Sequence, residues 1–261
     1  CLNKKKHLRS QVKESAAVQQ DFENYDLITP TANISAPTHG GRAKCLQRLV
    51  RLDLPVPKTV ALSFDAIKGI VSGKMPDLSD ILSNFDAKDI LCVRPSSESI
   101  DWGGPGAVLN IGMNDERCLH LSKYIGEKAA FELYFRFIQA YSVSVARLDP
   151  DVFDHITGAN VNSVSAALAA YKDEMEERFP QSIEHQLSEV LRSMARAWEG
   201  TSARLLREAK GAPADAGLGL VIQKMAFGVG DGESGSGVLQ LVNSDTGQSQ
   251  ITGRYLRQSQ G

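Results

Sequence analysis

The sequence lacks the features of several large functional classes. Its four cysteines (Cys1, Cys45, Cys92 and Cys118) are scattered without a CxxC pair, so neither a zinc site nor a disulfide framework is predicted. No apolar run approaches the roughly 20 residues that cross a bilayer, and the basic start lacks the apolar stretch of a secretory signal. A formal net charge of −2 provides no basic field for nucleic acid. We therefore expect a cytoplasmic protein that binds neither membrane nor nucleic acid.

Self-contained catalytic motifs are also missing. The chain has no phosphate-binding GxxxxGK[ST] loop, no HExxH, no GxSxG and no dinucleotide fingerprint after a strand. Its five histidines stand alone, without a carboxylate or a second histidine at ligand spacing, and surface or helix positions are their simpler explanation. The composition, 42% hydrophobic and 23% charged over 261 residues, is that of a globular protein with a substantial core. Because the chain starts without Met, we expect it to be part of something longer.

Pattern and composition divide the chain into four regions. We predict an N-terminal arm over residues 1–38, a first α/β lobe over 39–115, a helical insertion over 116–210 and a truncated, β-rich second lobe over 211–261. In the lobes, we expect helices after Gly41 and from Phe64, with Ser63 as the N-cap of the latter. The predicted strands cover residues 59–62, 89–94, 108–112, 218–227, 237–242 and 250–256.

Apolar residues at helical spacing dominate the middle of the chain. One stripe runs from Phe131 to Val145 through Tyr134, Ile138 and Tyr141, and two others cover residues 164–175 and 187–198. Aromatic and Met stripes of this kind are far more typical of a core than of a cofactor site. They predict a helical subdomain between two sheet-containing parts, and the fold class is α+β.

The order of several segments carries a more specific signal. Residues 40–46 (GGRAKCL) followed by LPVP, residues 93–97 (VRPSS), residues 108–115 (VLNIGMND) and residues 134–141 (YFRFIQAY) match one family pattern in sequence order. Residues 223–228 (QKMAFG), 234–238 (SGSGV) and 253–261 (GRYLRQSQG) continue the match. Each piece is weak alone, but together they cover about residues 38–261. In this order they resemble the amino-terminal domain of the pyruvate phosphate dikinase and PEP synthase-like family.

The resemblance implies a fold and a chemistry. The family fold is an ATP-grasp-like, two-lobed nucleotide-binding domain with a helical insertion, which uses ATP and Mg²⁺. In the family, ATP phosphorylates a histidine on a separate domain, which carries the phosphoryl group to pyruvate bound on another. Neither the histidine motif nor a pyruvate-binding barrel is present here, so the chain could supply at most the first half-reaction. The oligomeric state stays open, with a homodimer among the options.

The resemblance also indicates which residues would bind the nucleotide. Arg94 matches a phosphate-contacting Arg, and its planar fork suits two phosphate oxygens. Arg42 takes the place of a phosphate-binding Lys. The segment from Gln223 to Phe227 matches the strand whose backbone faces adenine. The nucleotide-binding residues predicted in this way are Arg42, Arg94, Ser96, Gln223, Met225 and Phe227, while no metal ligand and no catalytic residue is assigned.

Departures from the pattern keep a second hypothesis open. Glu98 stands where the family has a second Arg, and an anion about 6 Å from a phosphate charge costs roughly 3 kcal/mol at an effective dielectric near 20. Leu241 and Val242 replace a Thr-Arg pair, and Arg254 replaces a Glu. The family's next residue after the final Gln-Gly is an acid, which would lie past Gly261. The alternative to a dikinase-like phosphotransferase is therefore a degenerate nucleotide-binding or scaffolding domain, and a weaker option is a relative with another phosphoryl acceptor.

Overall fold

The structure is a computed structural model that describes residues 25–230 and 232–260. Most of the predicted N-terminal arm, residues 1–24, lies outside the described residues. The remainder of that arm belongs to the folded domain, because Tyr25–Leu27 is a strand and a helix already begins at Ala36.

The described residues form eight α-helices and seven strands. The helices are α1 (Ala36–Arg51), α2 (Phe64–Val71), α3 (Leu78–Ser83), α4 (Asp115–Ile125), α5 (Glu127–Ser144), α6 (Val161–Met175), α7 (Ile183–Glu199) and α8 (Thr201–Ala209). The strands are β1 (Tyr25–Leu27), β2 (Thr59–Leu62), β3 (Leu91–Ser97), β4 (Val108–Ile111), β5 (Leu218–Lys224), β6 (Gly235–Val242) and β7 (Ser249–Arg257). Short 3₁₀ turns cover Ile100–Trp102 and Pro150–Phe153. The α+β class predicted from the sequence is confirmed.

Local signals explain several element boundaries. Ser63 caps α2 by accepting a hydrogen bond from the backbone N–H of Ala66, and the helix covers the predicted residues 64–71. The helix predicted after Gly41 is present, but a short turn from Ala36 to His39 precedes it. Gly40 breaks the two apart with φ 85° and ψ 167°.

Five strands form one antiparallel sheet in the order β1-β2-β5-β3-β4. Strand β5, which follows the helical region in sequence, lies at the centre of this sheet. In its register Val60 of β2 faces Ile222, and Arg94 of β3 faces Val221. The predicted boundary at residue 211 thus assigns β5 to the second lobe, although β5 pairs with strands of the first lobe. Of the predicted second lobe, the β6–β7 hairpin is the part that forms its own sheet.

The two faces of the five-stranded sheet have different partners. Val60, Leu62 and Val93 belong to a large core that the sheet shares with the helical region, including Trp198. The opposite face carries Ala61 and Val221, which pack under α1 in a smaller cluster. Because side chains alternate along a strand, Cys92, Arg94 and Ser96 lie on this α1 side. The α1 side of the sheet therefore collects the polar residues singled out in the sequence.

The helical region is a continuous part of the core. Tyr134, Ile138 and Tyr141 are buried, as are Leu187 and the rest of the third stripe. Rings of Phe137, Tyr141, Tyr171 and Phe179 pack edge to face or tilted, with centroids 5.2–6.4 Å apart. The predicted core stripes are thereby confirmed. None of the helices in the described ranges is long and apolar enough to span a membrane.

Replacing Gly40 should destabilise the protein strongly. A Cβ added at this position would lie 1.7 Å from the backbone oxygen of Ser96, and the φ of 85° is itself unfavourable for alanine. We expect Gly40→Ala to lower the free energy of unfolding by about 3 kcal/mol or more. Gly73→Ala is the matched control, because Gly73 has φ 89° but nothing within 4 Å of the added Cβ. Equal losses for both variants in urea denaturation would contradict the close contact.

Candidate functional site

The start of α1 is attached directly to β3. The hydroxyl of Ser96 donates a hydrogen bond to the carbonyl oxygen of His39 at 2.7 Å and accepts one from the N–H of Ala43 at 3.0 Å. Between them, Gly40 approaches the Ser96 backbone more closely than any side chain would allow. The predicted ligand Ser96 is buried, and its hydroxyl is engaged within the chain.

His39 reinforces this attachment from the other side. Its Nε2 lies 3.1 Å from a carboxylate oxygen of Asp26 on β1, and its Nδ1 lies 2.8 Å from the Thr38 hydroxyl. Burial lowers the pKa of His39 below its ordinary value, and the nearby Asp26 offsets this only in part. The imidazole is therefore neutral near pH 7, and it fixes the first turn of α1 through hydrogen bonds.

Two arginines come together on the α1 side of the sheet. The Nε of Arg42 donates to the carbonyl oxygen of Pro95 at 2.7 Å, which holds the guanidinium beside β3. Burial lowers the pKa of Arg42, and the positive charge of Arg94 lowers it further. Within the described part of the chain, neither arginine forms an ion pair with a carboxylate. Two neighbouring cations without an acidic partner favour an anionic ligand.

A cavity of about 670 Å³ opens beside Arg42. Its walls are the start of α1, the end of β3 and the loop that follows, through Gly41, Arg42, Cys45, Pro95, Ser96, Ser97, Glu98, Ser99, Ile100, Gly103, Gly104 and Pro105. Its size is within the usual range of small-molecule sites. Arg94 is half-buried next to this cavity but is not among its lining residues. Among the described residues, Glu98 is the carboxylate that lines it.

Of the predicted residues near β5, Gln223 lies on the α1 side of the sheet, away from the cavity, whereas Met225 and Phe227 come just after the strand ends. Gln223 is buried opposite Cys92, and its amide donates to the hydroxyl of Thr59 at 2.8 Å. The backbone N–H of Met225 donates to the carbonyl of Ile90 at 2.8 Å. The side chain of Phe227 packs against the large core.

The structure thus brings the predicted residues together in two groups. Arg42, Ser96 and the adjacent Arg94 lie at one end of the α1 side of the sheet. Gln223 lies nearer the other end of β5, and Met225 and Phe227 follow that strand. Cys45 and the glycines of the 103–105 loop were not predicted as lining residues. Cys45 could have been found by helical spacing, since it lies three residues after Arg42 on α1.

Comparison with known proteins confirms the resemblance. The chain is 29% identical over 259 residues to a pyruvate, phosphate dikinase of Clostridium symbiosum, a match that covers 85% of this chain and 30% of that protein. It is 26% identical to the Rhizobium meliloti (strain 1021) enzyme of the same name and 24% identical to the chloroplastic one of Flaveria trinervia. These matches cover 85% of this chain and 29% and 27% of the relatives, so the chain spans under a third of their length. No protein-family model matches the chain.

The cysteines of the described residues should differ sharply in reactivity. Burial raises the pKa of Cys92 and of Cys118 to about 11, so only about one thiol in a thousand is ionised at pH 8. Cys45 is exposed at the cavity. We expect a maleimide or iodoacetamide reagent to modify Cys45 in the folded protein and to reach Cys92 and Cys118 after unfolding in urea. Peptide mapping by mass spectrometry measures this, and modification of folded Cys92 at the rate of Cys45 would contradict the burial.

Proposed function

We propose that this chain is the ATP-binding domain of a pyruvate phosphate dikinase-like phosphotransferase. In this role it would bind the nucleotide and pass a phosphoryl group to a histidine on a separate domain, on the way to pyruvate or phosphoenolpyruvate. The observation that carries the proposal is the pair formed by Arg42 and Arg94, two adjacent arginines without a carboxylate partner in the described residues. The similarity to enzymes named pyruvate, phosphate dikinase supports the same assignment.

The residues present fit a triphosphate. Phosphoryl transfer depends mainly on positioning and on neutralising the negative charge of the phosphates. The main segment of α1 begins after Gly40 and presents Gly41 and Arg42 to the cavity, so the positive end of the helix dipole adds to the arginine charge. The Nε of Arg42 donates its hydrogen bond to the carbonyl oxygen of Pro95. This bond fixes the plane of the guanidinium group and therefore the direction in which its two terminal nitrogens point.

The adenine would be recognised by backbone groups just beyond β5. The N–H groups of Lys224 and Met225 already bond to the carbonyls of Lys58 and Ile90. In the described ranges, the next two residues, Ala226 and Phe227, have no backbone hydrogen bond, and Ala226 is exposed. We therefore place the predicted adenine contact at the backbone of residues 226 and 227 rather than at the side chain of Gln223.

Magnesium fits as an ion that accompanies the triphosphate. Mg²⁺ keeps several waters and commonly uses one or two carboxylates together with substrate phosphates. The described residues contain no group of three or more His, Cys, Asp or Glu side chains that could hold a metal ion. Mg²⁺ would therefore be held mainly by the triphosphate and water, and we assign no side chain of the described residues to it.

Replacing Arg94 should weaken ATP binding. We expect the protein that contains this chain to bind ATP with Mg²⁺ at micromolar to millimolar affinity. We expect Arg94→Ala to raise the dissociation constant roughly tenfold or more, since charge-assisted hydrogen bonds to the phosphates would be lost. Arg94→Lys, which keeps the charge without the fork, should lie between the two. Isothermal titration calorimetry is the measurement.

The matched control is Arg136→Ala. Arg136 is an exposed arginine of α5 that pairs with Glu132 within its own helix. Its replacement should leave the affinity unchanged. Equal weakening by the Arg94 and Arg136 replacements would show that total charge, and not the site, governs binding.

The second candidate function is a degenerate domain that keeps the fold without phosphoryl transfer. The specific observation in its favour is Glu98, whose carboxylate lines the same cavity as Arg42. Leu241 and Val242, which stand where the resemblance expects a Thr-Arg pair, are exposed apolar residues of β6. These substitutions reduce the positive charge available to a triphosphate.

Neutralising Glu98 tests whether its charge weakens the nucleotide site. We expect Glu98→Gln to lower the dissociation constant for ATP at least about threefold, because a like charge near the phosphates is removed. Asp101→Asn is the control, since Asp101 is exposed in the same loop but outside the lining. If neither the wild type nor Glu98→Gln bound ATP at millimolar concentration in calorimetry, a degenerate scaffolding domain would be the better description.

A further inference from the structure

The β6–β7 hairpin meets the rest of the domain at a narrow base. Both strands are largely exposed, including Leu239, Ile251 and Tyr255. At the base, the chain leaving β7 passes against the segment that enters β6. A Cβ added at Gly228 would lie 2.1 Å from the carbonyl oxygen of Ser259. The position of the hairpin therefore depends on a few contacts close to this crossing.

One group of contacts ties the two ends of the hairpin to each other. The N–H of Gln258 donates to the carbonyl of Ser234 at 2.8 Å. Its side-chain oxygen accepts from the N–H of Gly230 at 3.0 Å, and its side-chain nitrogen donates to the carbonyl of Gly232 at 3.1 Å. Gln258 itself has φ 49°, so the chain turns sharply there. These bonds close the base of the hairpin, but their partners all belong to the glycine-rich entry segment.

A second contact joins the hairpin exit to the sheet. The carboxamides of Asn110 on β4 and Gln260 face each other head to head. The Nδ2 of Asn110 donates to Oε1 of Gln260 at 3.1 Å, and the Nε2 of Gln260 donates to Oδ1 of Asn110 at 2.5 Å. The two residues are 150 positions apart in sequence. Each amide supplies one donor and one acceptor, so the pairing is fully complementary.

The side chain of Asn110 is held in place for this pairing. Asn110 is 2% exposed and has φ 63°, a left-handed conformation that asparagine tolerates better than most residues. Its Nδ2 also lies 3.5 Å from the carbonyl oxygen of Leu133, on the helix α5 that packs against β4. Strand β4 is an edge of the sheet, so the paired amides sit where the hairpin exit passes it.

We propose that Asn110 and Gln260 form an amide latch that fixes the β6–β7 hairpin against the edge strand β4. Asn110 is then a positioning residue, since it sets the angle of the hairpin over the domain. The latch carries no ionisable group, so it holds equally across the neutral pH range. Its consequence for nucleotide binding, that the hairpin closes over the ligand from one fixed direction, rests on the proposed function.

Hydrogen exchange measured by mass spectrometry tests the latch itself. We expect Gln260→Ala to accelerate exchange in residues 249–260 roughly tenfold, because the two mutual hydrogen bonds are lost, while exchange in α7 stays unchanged. Asn110→Gly, which removes the carboxamide but keeps the positive φ, should have the same effect. The double variant should exchange no faster than either single one, since the two residues act as a pair.

Gln250→Ala provides the matched control. Gln250 also pairs with an asparagine, accepting from Nδ2 of Asn243 at 2.8 Å, but this pair lies within the hairpin, away from the sheet. Its replacement should leave the exchange at residues 257–260 unchanged. Unaltered exchange in Gln260→Ala, or additive effects in the double variant, would overturn the latch. Gln260→Ala alone decides the question if Asn110→Gly fails to fold, since Gln260 is only half-buried.

Titration with ATP and Mg²⁺ separates this proposal from the preceding one. In a protein that binds ATP, Gln260→Ala should raise the dissociation constant severalfold while the thermal unfolding of the helical core is unaffected. If Gln260→Ala showed fast hydrogen exchange but wild-type ATP affinity, the result would support the latch and overturn its role in nucleotide binding. A wild-type chain without ATP affinity would overturn the proposed function, and hydrogen exchange would still judge the latch.

Discussion

The approach of Gly40 to the backbone of Ser96 is the contact on which the rest of the site depends. With 1.7 Å between an added Cβ and the Ser96 oxygen, only glycine allows α1 to begin at this point on β3. The Ser96 hydroxyl then bridges the break in the helix from His39 to Ala43. Because Arg42 lies between these anchored positions, its guanidinium reaches Pro95 and the neighbourhood of Arg94 without a bridging carboxylate. The backbone geometry therefore holds close together two positive charges that would otherwise repel each other.

Much of the fold could be predicted from the sequence because its signals are local. Spacing and side-chain chemistry within a few residues are enough to predict three features: the cap at Ser63, the short strand Thr59–Leu62 and the aromatic stripe of α5. The strands that pair with β5 could not be predicted from such local signals. Its apolar pattern predicts a strand, but nothing within Leu218–Lys224 indicates insertion between β2 and β3. Antiparallel pairing between distant segments is decided by the whole core, so the division at residue 211 followed sequence order rather than the sheet.

The candidate site could also be predicted only in part from the sequence, for the same reason. Arg42 and Arg94 were found through a resemblance, whereas their proximity depends on a contact between residues 53 apart. Residue identity also conceals how a side chain is used. The hydroxyl of Ser96 and the amide of Gln223 look available in the sequence, yet the structure uses both for internal hydrogen bonds. The pairing of Asn110 with Gln260 gives no sequence signal, since two amides 150 residues apart share no periodicity.

The start of α1 and the base of the hairpin are held by bonds of different kinds, and this difference indicates where movement is easier. On the α1 side, movement would break the close contact of Gly40 with the Ser96 backbone and the hydrogen bonds of the Ser96 hydroxyl, so the segment that carries Arg42 is held firmly. On the hairpin side, the uncharged side-chain amides of Asn110 and Gln260 form hydrogen bonds to each other. Water can replace these hydrogen bonds at a modest net cost in free energy. Movement is therefore easier at the hairpin, while Arg42 keeps its position beside β3.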